Sequence, residues 1–496
     1  SLRDAEVRAL EKNHGVAIER ESFRISQEAI ALAEGTAYDP TFRLDARYRT
    51  HTDPVNSVFS GAPAGELAPT QKGVESSAQI AKLFPTGTRV SVSTALARQT
   101  TDGIFTTLSP AYTTQFGIDV RQPLLRGFRT DDARRAVRVA GIDNQRSAAT
   151  LRRVVTETVS EVEKLYWTYA SALRNVEVRQ SSMALADEQR RDTQAKIEAG
   201  TLPESDLSQS TAELERRRGE LYAARENARR AELALKTLIL ADPSDPLWNQ
   251  EIAPTDEPRA TPFEVELTAA LETAKEKRPE LSAARLAIER QDVDIALADD
   301  ELKPALDVVG SYQGRGLAGS KNPGATSFNP GQPVVVAEPL DGGVGRSFGT
   351  LFENRFPDAS IGLSLSIPLG NRAARAKGAI ARATKRQAEL GYAREEQRIA
   401  TEVRVAVLAL QTARQRIEAA NAGLAAAETQ FGAEKERFTA GLSTNFFVLT
   451  RQNDLAVAQL TRIDALADYQ RARVELARAT GSLLDDRRIE VGGQDK

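Results

Sequence analysis

Several short segments of the chain carry an apolar side chain at every second position. The pattern is clearest in residues 41–50, 113–121 and 359–367, and it is weaker in residues 305–312. Because successive side chains of a β-strand point to opposite faces, this alternation predicts strands with one apolar and one polar face. The apolar positions in the three clear segments include Phe42, Leu44, Tyr48, Phe116, Ile118, Val120, Ile361, Leu363 and Leu365.

Two kinds of sheet are compatible with this alternation. A closed barrel in a membrane turns its apolar side chains to lipid and its polar side chains to water. A sheet that is half buried in a soluble protein alternates in the same way. The strand pattern alone leaves both interpretations open.

The segments between the predicted strands are less regular. Residues 53–73 and 314–349 are rich in glycine and proline, and this composition predicts loops. Residues 74–97 contain a further possible hairpin around Pro85 and Gly87. The sequence does not decide whether that hairpin enters a barrel or folds over it.

Two long zones, residues 131–240 and 372–484, have the composition of helices. They are rich in Ala, Glu, Arg, Gln and Leu, which lose little side-chain freedom in a helix. Apolar residues recur at spacings of three and four, which indicates helices packed as in a coiled coil. Gly200 and Gly441 interrupt the two zones, so each zone is predicted to form a helical hairpin.

The two halves of the chain repeat one order of elements: a helix, a pair of strands and a long helical hairpin. We therefore predict a first repeat at residues 1–240 and a second at 263–484. Residues 241–262 are the predicted linker between them, and residues 485–496 are the predicted C-terminal tail.

Composition excludes several classes of protein. The 496 residues are 27% charged with a net charge of −3, which gives no reason to expect nucleic acid as a partner. There is no cysteine, and the two histidines stand in no metal or triad motif, so we expect no metal site and no catalytic residues. Phosphate-binding and dinucleotide motifs are absent, so we expect no cofactor and no enzyme. The chain starts at Ser1, from which we expect a processed or trimmed product.

Three features together resemble the TolC family of outer-membrane factors, which are outer membrane efflux proteins. They are the tandem repeat, the two hairpin turns and the Gln122-Pro123-Leu124-Leu125-Arg126-Gly127 segment that closes the first strand zone. The resemblance implies a mixed α and β fold in a homotrimer. Each protomer is expected to give about four strands to a twelve-stranded barrel in outer-membrane lipid, continued by a periplasmic coiled-coil barrel of helices.

The resemblance also implies a function. The chain would be the outer-membrane exit duct of a tripartite efflux or type I secretion system in a Gram-negative bacterium. It would dock on a periplasmic adaptor that joins an inner-membrane pump. The alternative is a protein that is not a channel, either a periplasmic coiled-coil adaptor or a surface adhesin. Nothing in the sequence indicates the cargo.

Two groups of residues match functional positions of the family. The turns of the hairpins match its adaptor-docking motif, although helix termination alone also requires glycine. Near the turns, the family narrows the tunnel, often with acidic residues; the second half here offers phenylalanines, which would close the tunnel by excluding water or would pack between helices. The expected docking residues are Gly200, Thr201, Leu202, Gly441, Leu442 and Ser443, and the expected constriction residues are Asp206, Phe446, Phe447 and Thr450.

Overall fold

The computed structural model describes residues 1–52, 54, 59–260, 265–327 and 331–491. Parts of the predicted loops, linker and tail therefore lie outside the described residues. These parts are residues 53, 55–58, 261–262, 328–330 and 492–496.

Long helices and one sheet dominate the described chain. In these ranges, no helix combines the length and the apolarity that crossing a membrane would need. The helices are α1 (Leu2–Lys12), α2 (His14–Tyr38), α3 (Asp132–Glu198), α4 (Ser205–Ile239), α5 (Leu267–Lys277), α6 (Pro279–Glu301), α7 (Val344–Phe352), α8 (Arg372–Thr439), α9 (Asn445–Thr480) and α10 (Leu483–Asp486). The strands are β1 (Thr41–Thr52), β2 (Thr70–Leu83), β3 (Arg89–Thr101), β4 (Leu108–Pro123), β5 (Ala305–Lys321) and β6 (Phe356–Ser366), and two short 3₁₀ helices span Pro246–Asn249 and Glu338–Leu340.

The chain divides into two compact units. All the strands belong to the second one, and both predicted repeats contribute segments to each unit. The helical unit consists of Ser1–Gln27, Asp143–Ile288 and Gln387–Lys496, and the sheet unit consists of Glu28–Ile142 and Glu289–Arg386.

The strands form one antiparallel sheet in the order β1-β2-β3-β4-β5-β6. The expectation of about four strands is therefore too low for the described chain. The additional pair is β2 and β3, which arises from the possible hairpin at residues 74–97 that the sequence left undecided. Part of the predicted loop at residues 314–349 is also regular structure, because β5 continues to Lys321 and α7 begins at Val344.

The register of the sheet places the predicted apolar positions on one side. Phe42 of β1 lies opposite Ile80, Ile80 lies opposite Val92, and Val92 lies opposite Ile118. Since directly opposed residues share a face, this row runs across four strands. We call this side the apolar face and the other side the polar face. All the apolar positions expected from the sequence belong to the apolar face: Phe42, Leu44, Tyr48, Phe116, Ile118, Val120, Ile361, Leu363 and Leu365.

The helical unit buries the stripes that the helix period predicts. Val155 and Val159 of α3 belong to an apolar cluster with Val16 and Leu483. A second stripe, on α8, forms a cluster with residues of α5, α6 and α9. Most of the stability of helices this long comes from such packing rather than from intrinsic propensity. The buried residues of the α8 stripe are Ile399, Val403, Ala406, Val407, Leu410, Ala413, Ile417 and Ala420.

The linker between the repeats packs along α3 and α4. Tyr166 donates a hydrogen bond to Asp256 at 2.5 Å, and Tyr169 donates one to the Ile252 carbonyl at 2.6 Å. Burial, followed by the bond to Asp256, raises the pKa of Tyr166 to about 12, and burial also raises the pKa of Tyr169 to about 12. Both phenols therefore remain protonated donors at neutral pH. Lys236 adds a bond of 2.6 Å to the Gln250 carbonyl, which fixes the linker to α4.

Candidate functional site: the sheet faces and the hairpin turns

The apolar face is widely exposed in the single chain. On the outer strand β1, Phe42 is 67% exposed and Tyr48 is 68% exposed. On the opposite outer strand β6, Ile361 is 86% exposed and Leu363 is 71% exposed. Soluble monomers rarely expose apolar patches of such extent, and larger patches mark contact with a membrane or another chain.

Charged side chains link neighbouring strands on the polar face. Arg47 and Glu75, which lie opposite each other on β1 and β2, form an ion pair of 3.2 Å. Arg121 of β4 pairs with Asp307 of β5 at 2.5 Å. This side also borders a cavity of about 530 Å³, whose lining includes Asp45, Arg47, Ser77, Gln115 and Arg315. Such a surface is suited to water.

Helix α7 lies against the apolar face near the ends of β4 and β5, and hydrogen bonds hold it there. The Thr114 hydroxyl, which is buried, donates to the Ser347 carbonyl at 2.9 Å. The pairing of β5 with β6 reaches only to Arg315. Beyond that point, the Thr350 hydroxyl accepts a bond of 3.0 Å from the Leu317 amide, and its own proton is shared between the Ser347 carbonyl at 2.9 Å and the Leu317 carbonyl at 3.2 Å. Thr350 therefore takes the place of a partner strand.

The approach of α7 depends on glycine in β5. A Cβ atom on Gly316 would overlap the Ser347 carbonyl oxygen and the Thr114 hydroxyl. A Cβ on Gly314 would meet Leu351 of α7 at 3.0 Å. The sequence showed glycines here and indicated a loop, whereas these glycines make room for a helix on the surface of a strand.

The two helical hairpins turn in the same way. Gly200 and Gly441 have φ angles of 74° and 73°, which glycine adopts without strain. In both turns the backbone N–H of the next residue donates a hydrogen bond to a carbonyl five positions earlier. These bonds join Thr201 to Lys196 and Leu442 to Arg437, at 2.9 Å each. This is the Schellman pattern of a helix C-terminus. The two turns therefore share one backbone geometry.

The expected docking residues lie at these two turns, and most of them are exposed to solvent. Gly200, Thr201 and Gly441 are exposed, and Leu442 is 72% exposed. An added Cβ at either glycine would meet no atom within 4 Å. The other two expected residues, Leu202 and Ser443, are half-buried.

The expected constriction residues lie near the starts of α4 and α9. Phe446 is 54% exposed and Phe447 is 49% exposed, and their rings meet edge to face with centroids 5.6 Å apart. In the single chain these two rings do not fill the space between helices, whereas the neighbouring apolar residues Val448 and Leu449 are buried. The remaining two expected residues are Asp206, half-buried in the first turn of α4, and Thr450, whose hydroxyl donates to the Phe446 carbonyl at 2.8 Å.

Arg217 of α4 is a buried residue that the sequence analysis missed. It is 1% exposed and pairs with Glu213 at 2.7 Å. Its guanidinium also donates to the Ser182 carbonyl of α3, and to the Gln452 side chain and the Leu449 carbonyl of α9. One charged side chain thus links both hairpins. Its helical spacing from Leu214 and Leu221 is the one sequence signal, and the same buried stripe also holds Glu232 and Lys236, so the charge alone did not reveal its role.

A second polar group joins the hairpins nearer to their turns. Asn445 at the start of α9 is 4% exposed. Its amide donates to the Ser210 hydroxyl of α4 at 2.9 Å, and its carbonyl oxygen accepts a bond of 2.7 Å from Gln189 of α3. Buried polar groups that are fully bonded in this way fix one arrangement of their helices.

Two buried glutamates meet an arginine where α1 packs in the helical unit. Glu6 is 1% exposed and Glu163 of α3 is fully buried. Arg487 forms two hydrogen bonds to Glu163, at 2.8 and 2.5 Å, and this contact raises the pKa of Arg487. Burial, followed by the charge of Glu163, raises the pKa of Glu6 to about 7. No sequence pattern indicates this cluster, because its members are far apart along the chain.

Known proteins are similar to this chain in sequence and in fold. The sequence pattern of the family described as outer membrane efflux protein matches residues 76–239 and 270–482. Outer membrane efflux protein BepC of Brucella suis is 24% identical over 379 residues, which cover 75% of this chain and 72% of BepC.

Solved structures have a similar fold along nearly the whole chain. The Campylobacter jejuni CmeC outer membrane channel superimposes with a TM-score of 0.66 at 15% identity, covering 97% of this chain and 86% of CmeC. The open state of the Neisseria gonorrhoeae MtrE outer membrane channel gives a TM-score of 0.63 at 15% identity, covering 97% of this chain and 89% of MtrE. Because the family pattern matches most of both repeats, the chain belongs to the outer membrane efflux protein family, whose members are channels of the outer membrane.

Proposed function

We propose that three copies of this chain form an efflux exit duct whose barrel closes through the outer edges of β1 and β6. The observation that carries the proposal is the single sheet with one apolar and one polar face. Within the described residues, β1 and β6 each have a strand partner on one side only. An unpaired strand edge is not tolerated in lipid, so the edges must pair between copies.

The two faces supply the two environments that a duct needs. The apolar face carries exposed Phe42, Leu44 and Leu363, which suit hydrocarbon. The polar face carries cross-strand ion pairs such as Arg47–Glu75, which suit a water-filled interior. In a ring of three copies, the polar face lines the passage and the apolar face contacts the outer-membrane lipid.

The hairpin turns are the proposed docking site for a periplasmic adaptor. The backbone at Gly200 and Gly441 is open, because no atom lies within 4 Å of an added Cβ. Leu442 adds an exposed apolar side chain that an adaptor could contact. Replacing Gly441 with tryptophan fills the space beside the turn. Gly423, on helix α8 that leads into this turn and also with no atom within 4 Å of an added Cβ, provides a matched control.

The adaptor contact is tested by co-purification of the adaptor with each variant. We expect Gly441→Trp to lose the adaptor and to stop export while the trimer persists, and Gly423→Trp to retain both. Normal co-purification of the Gly441→Trp variant would contradict docking at the turns.

The start of α9 is the proposed constriction. Phe446 and Phe447 project from the first turn of that helix, and three copies would bring three such pairs together. A ring of aromatic side chains obstructs ions by excluding water. Asp206, in the first turn of α4, is an acidic residue near the other turn and would impose a preference for cations.

Conductance across a planar lipid bilayer tests the duct itself. We expect the purified trimer to give discrete steps and the Phe446→Ala, Phe447→Ala double variant to give larger ones. The matched control is Phe438→Ala, a phenylalanine near the turn on the preceding helix α8. A protein that inserts without conducting would contradict the duct, and unchanged steps in the double variant would contradict only the constriction.

A further inference from the structure

We infer that the barrel has eighteen strands, six from each of three copies, instead of the twelve that the family resemblance implies. The inference rests on the proposed trimer and concerns the part of the sheet that is additional. That part is the hairpin of β2 and β3, inserted between β1 and β4.

The hairpin is fully integrated into the sheet. Its first strand pairs with β1 without interruption from Thr41 opposite Ala81 to Thr52 opposite Thr70. Its second strand pairs with β4 from Arg89 opposite Arg121 to Gln99 opposite Ala111. A hairpin folded over a barrel would leave β1 and β4 free to pair with each other, and the observed register prevents this.

The inserted strands keep the two faces of the sheet. On the apolar face, Ile80 and Val92 continue the row that begins at Phe42 and ends at Ile118. On the polar face, Glu75 forms its ion pair with Arg47 of β1. If the hairpin lay outside the barrel wall, nothing would require its apolar and polar residues to face the same sides as those of β1 and β4.

The turn of the hairpin is fixed at the end of the strands. Gly87 closes the turn with a φ angle of 81°. Its backbone N–H donates a hydrogen bond of 2.8 Å to the Phe84 carbonyl. The Gln122 amide at the end of β4 donates to the Thr86 carbonyl at 3.4 Å. A Cβ on Gly87 would come within 2.8 Å of the Gly127 carbonyl oxygen, so the turn is packed against the segment that follows β4.

An insertion of two strands preserves the closure of the ring. Neighbouring strands alternate in direction, so β1 and β6 of one chain are antiparallel. The edge of β6 in one copy can therefore pair with β1 of the next copy in the same antiparallel manner as inside the chain. An odd number of added strands would make that contact parallel.

The additional strands widen the sheet part alone. Barrel diameter grows roughly linearly with strand number, and barrels of about 16–18 strands leave an aqueous channel. The long helices α3, α4, α8 and α9 form the two predicted hairpins and include no counterpart of the insertion. A barrel of eighteen strands is therefore wide for a chain with two helical hairpins, and the start of α9 remains the proposed constriction.

Disulfide formation distinguishes the two arrangements, because the chain has no native cysteine. Asp45 and Ser77 are direct partners in the observed register. Asp45 and Gln115 are separated by β2 and β3, three strand spacings or about 14 Å, which is beyond the reach of a disulfide. In a twelve-stranded barrel with the hairpin outside, Asp45 and Gln115 would lie on adjacent strands.

We expect oxidation in intact membranes to link the Asp45→Cys, Ser77→Cys variant and to leave the Asp45→Cys, Gln115→Cys variant unlinked. The reverse result would overturn the eighteen-stranded ring. A matched pair on the far side of the hairpin, Ala95→Cys with Gln115→Cys, should also link, because these residues are direct partners on β3 and β4.

The number of copies is measured separately, from the mass of the detergent-solubilised complex. Three copies with the linked Asp45–Ser77 pair give eighteen strands. A different copy number would contradict the proposed trimer, whereas three copies with a linked Asp45–Gln115 pair would contradict only the additional strands.

Discussion

Glu6 makes the helical unit sensitive to pH. Its pKa of about 7 in the folded chain lies above the ordinary value of 4.5, so the folded state holds the proton more tightly than the unfolded state. The stabilisation of the folded state by the protonated Glu6 is complete below about pH 4.5 and is lost as the pH rises through 7. We expect the Tm to fall between pH 5 and pH 8, with a free-energy change of at most about 3 kcal/mol.

The Glu6→Gln variant isolates this effect. Its amide cannot ionise, so its Tm should change less between pH 5 and pH 8 than that of the unmodified chain. Thermal unfolding followed by circular dichroism measures both proteins. An identical pH dependence in the two would show that Glu6 is not the responsible group.

Arg217 should contribute more to stability than its neighbour Arg216. Removing the buried Arg217 takes away one of the positive charges that balance Glu213, and it removes the hydrogen bond to the Leu449 carbonyl of α9. We expect the free energy of unfolding to fall by on the order of 3 kcal/mol. Arg216 pairs with the same Glu213 but is exposed to water, so Arg216→Ala should cost less than about 1 kcal/mol. Denaturant unfolding of Arg217→Ala and Arg216→Ala measures the difference, and equal losses would contradict the assigned role.

Single residues were the least predictable part of the structure. The exposed positions of β1 follow from alternation alone, because period two fixes the face of every side chain. Arg217 and Glu163 were missed because a charged residue in a helical stripe signals burial only when its partner is known. For Glu163 that partner is Arg487, which lies 324 positions away.

At the scale of elements, α7 depends on Gly316. A side chain there would collide with the carbonyl of Ser347, so Gly316→Val should displace the helix at a cost of about 1–3 kcal/mol. Gly310 provides the control, because it lies on the same strand and face, and its added Cβ would meet its nearest atom, the Ser360 carbonyl oxygen, at 4.0 Å.

Protease cleavage within residues 331–352 measures the release of α7. Intact cells expressing Gly316→Val should be cleaved there faster than cells expressing Gly310→Val. Equal cleavage of the two variants would mean that α7 does not depend on the glycine.

Long elements were predictable and short ones were not. The helical hairpins follow from a period sustained over many turns, and β1, β4 and β6 follow from clean alternation. Strand β2 was left undecided because its apolar face reads Val74, Ser76, Ala78, Ile80, Lys82, in which polar residues dilute the pattern. Helix α7 was taken for a loop because it lies in a stretch rich in glycine and proline, in which Gly314 and Gly316 belong to β5 and make room for the helix.

At the scale of the whole molecule, a charged substitution should destabilise the trimer when it lies on the apolar face and should be tolerated on the polar face. Leu363 and Ser364 are adjacent on β6, and both are exposed in the single chain. Leu363→Arg would place a cation in lipid at a cost of about 2–4 kcal/mol, whereas Ser364→Arg would place it in water. The amount of heat-sensitive trimer in outer-membrane fractions should therefore fall for Leu363→Arg alone.

The assembly was less accessible from sequence than the chain. Periodicity shows that a face is apolar, but it does not say what covers the face. The number of strands changes when one hairpin enters the sheet, and that depends on the pairing of Asp45 with Ser77 instead of Gln115. Such pairing is a long-range choice that local patterns do not specify.

The most direct test of the account is labelling of single cysteines along β1 with a membrane-impermeant thiol reagent in isolated outer membranes. The chain has no cysteine of its own, so each variant carries one reactive site. Variants at Arg43, Asp45 and Arg47 should be labelled, and variants at Phe42 and Leu44 should be protected by lipid. Uniform labelling of both sets would contradict a channel whose wall separates water from lipid.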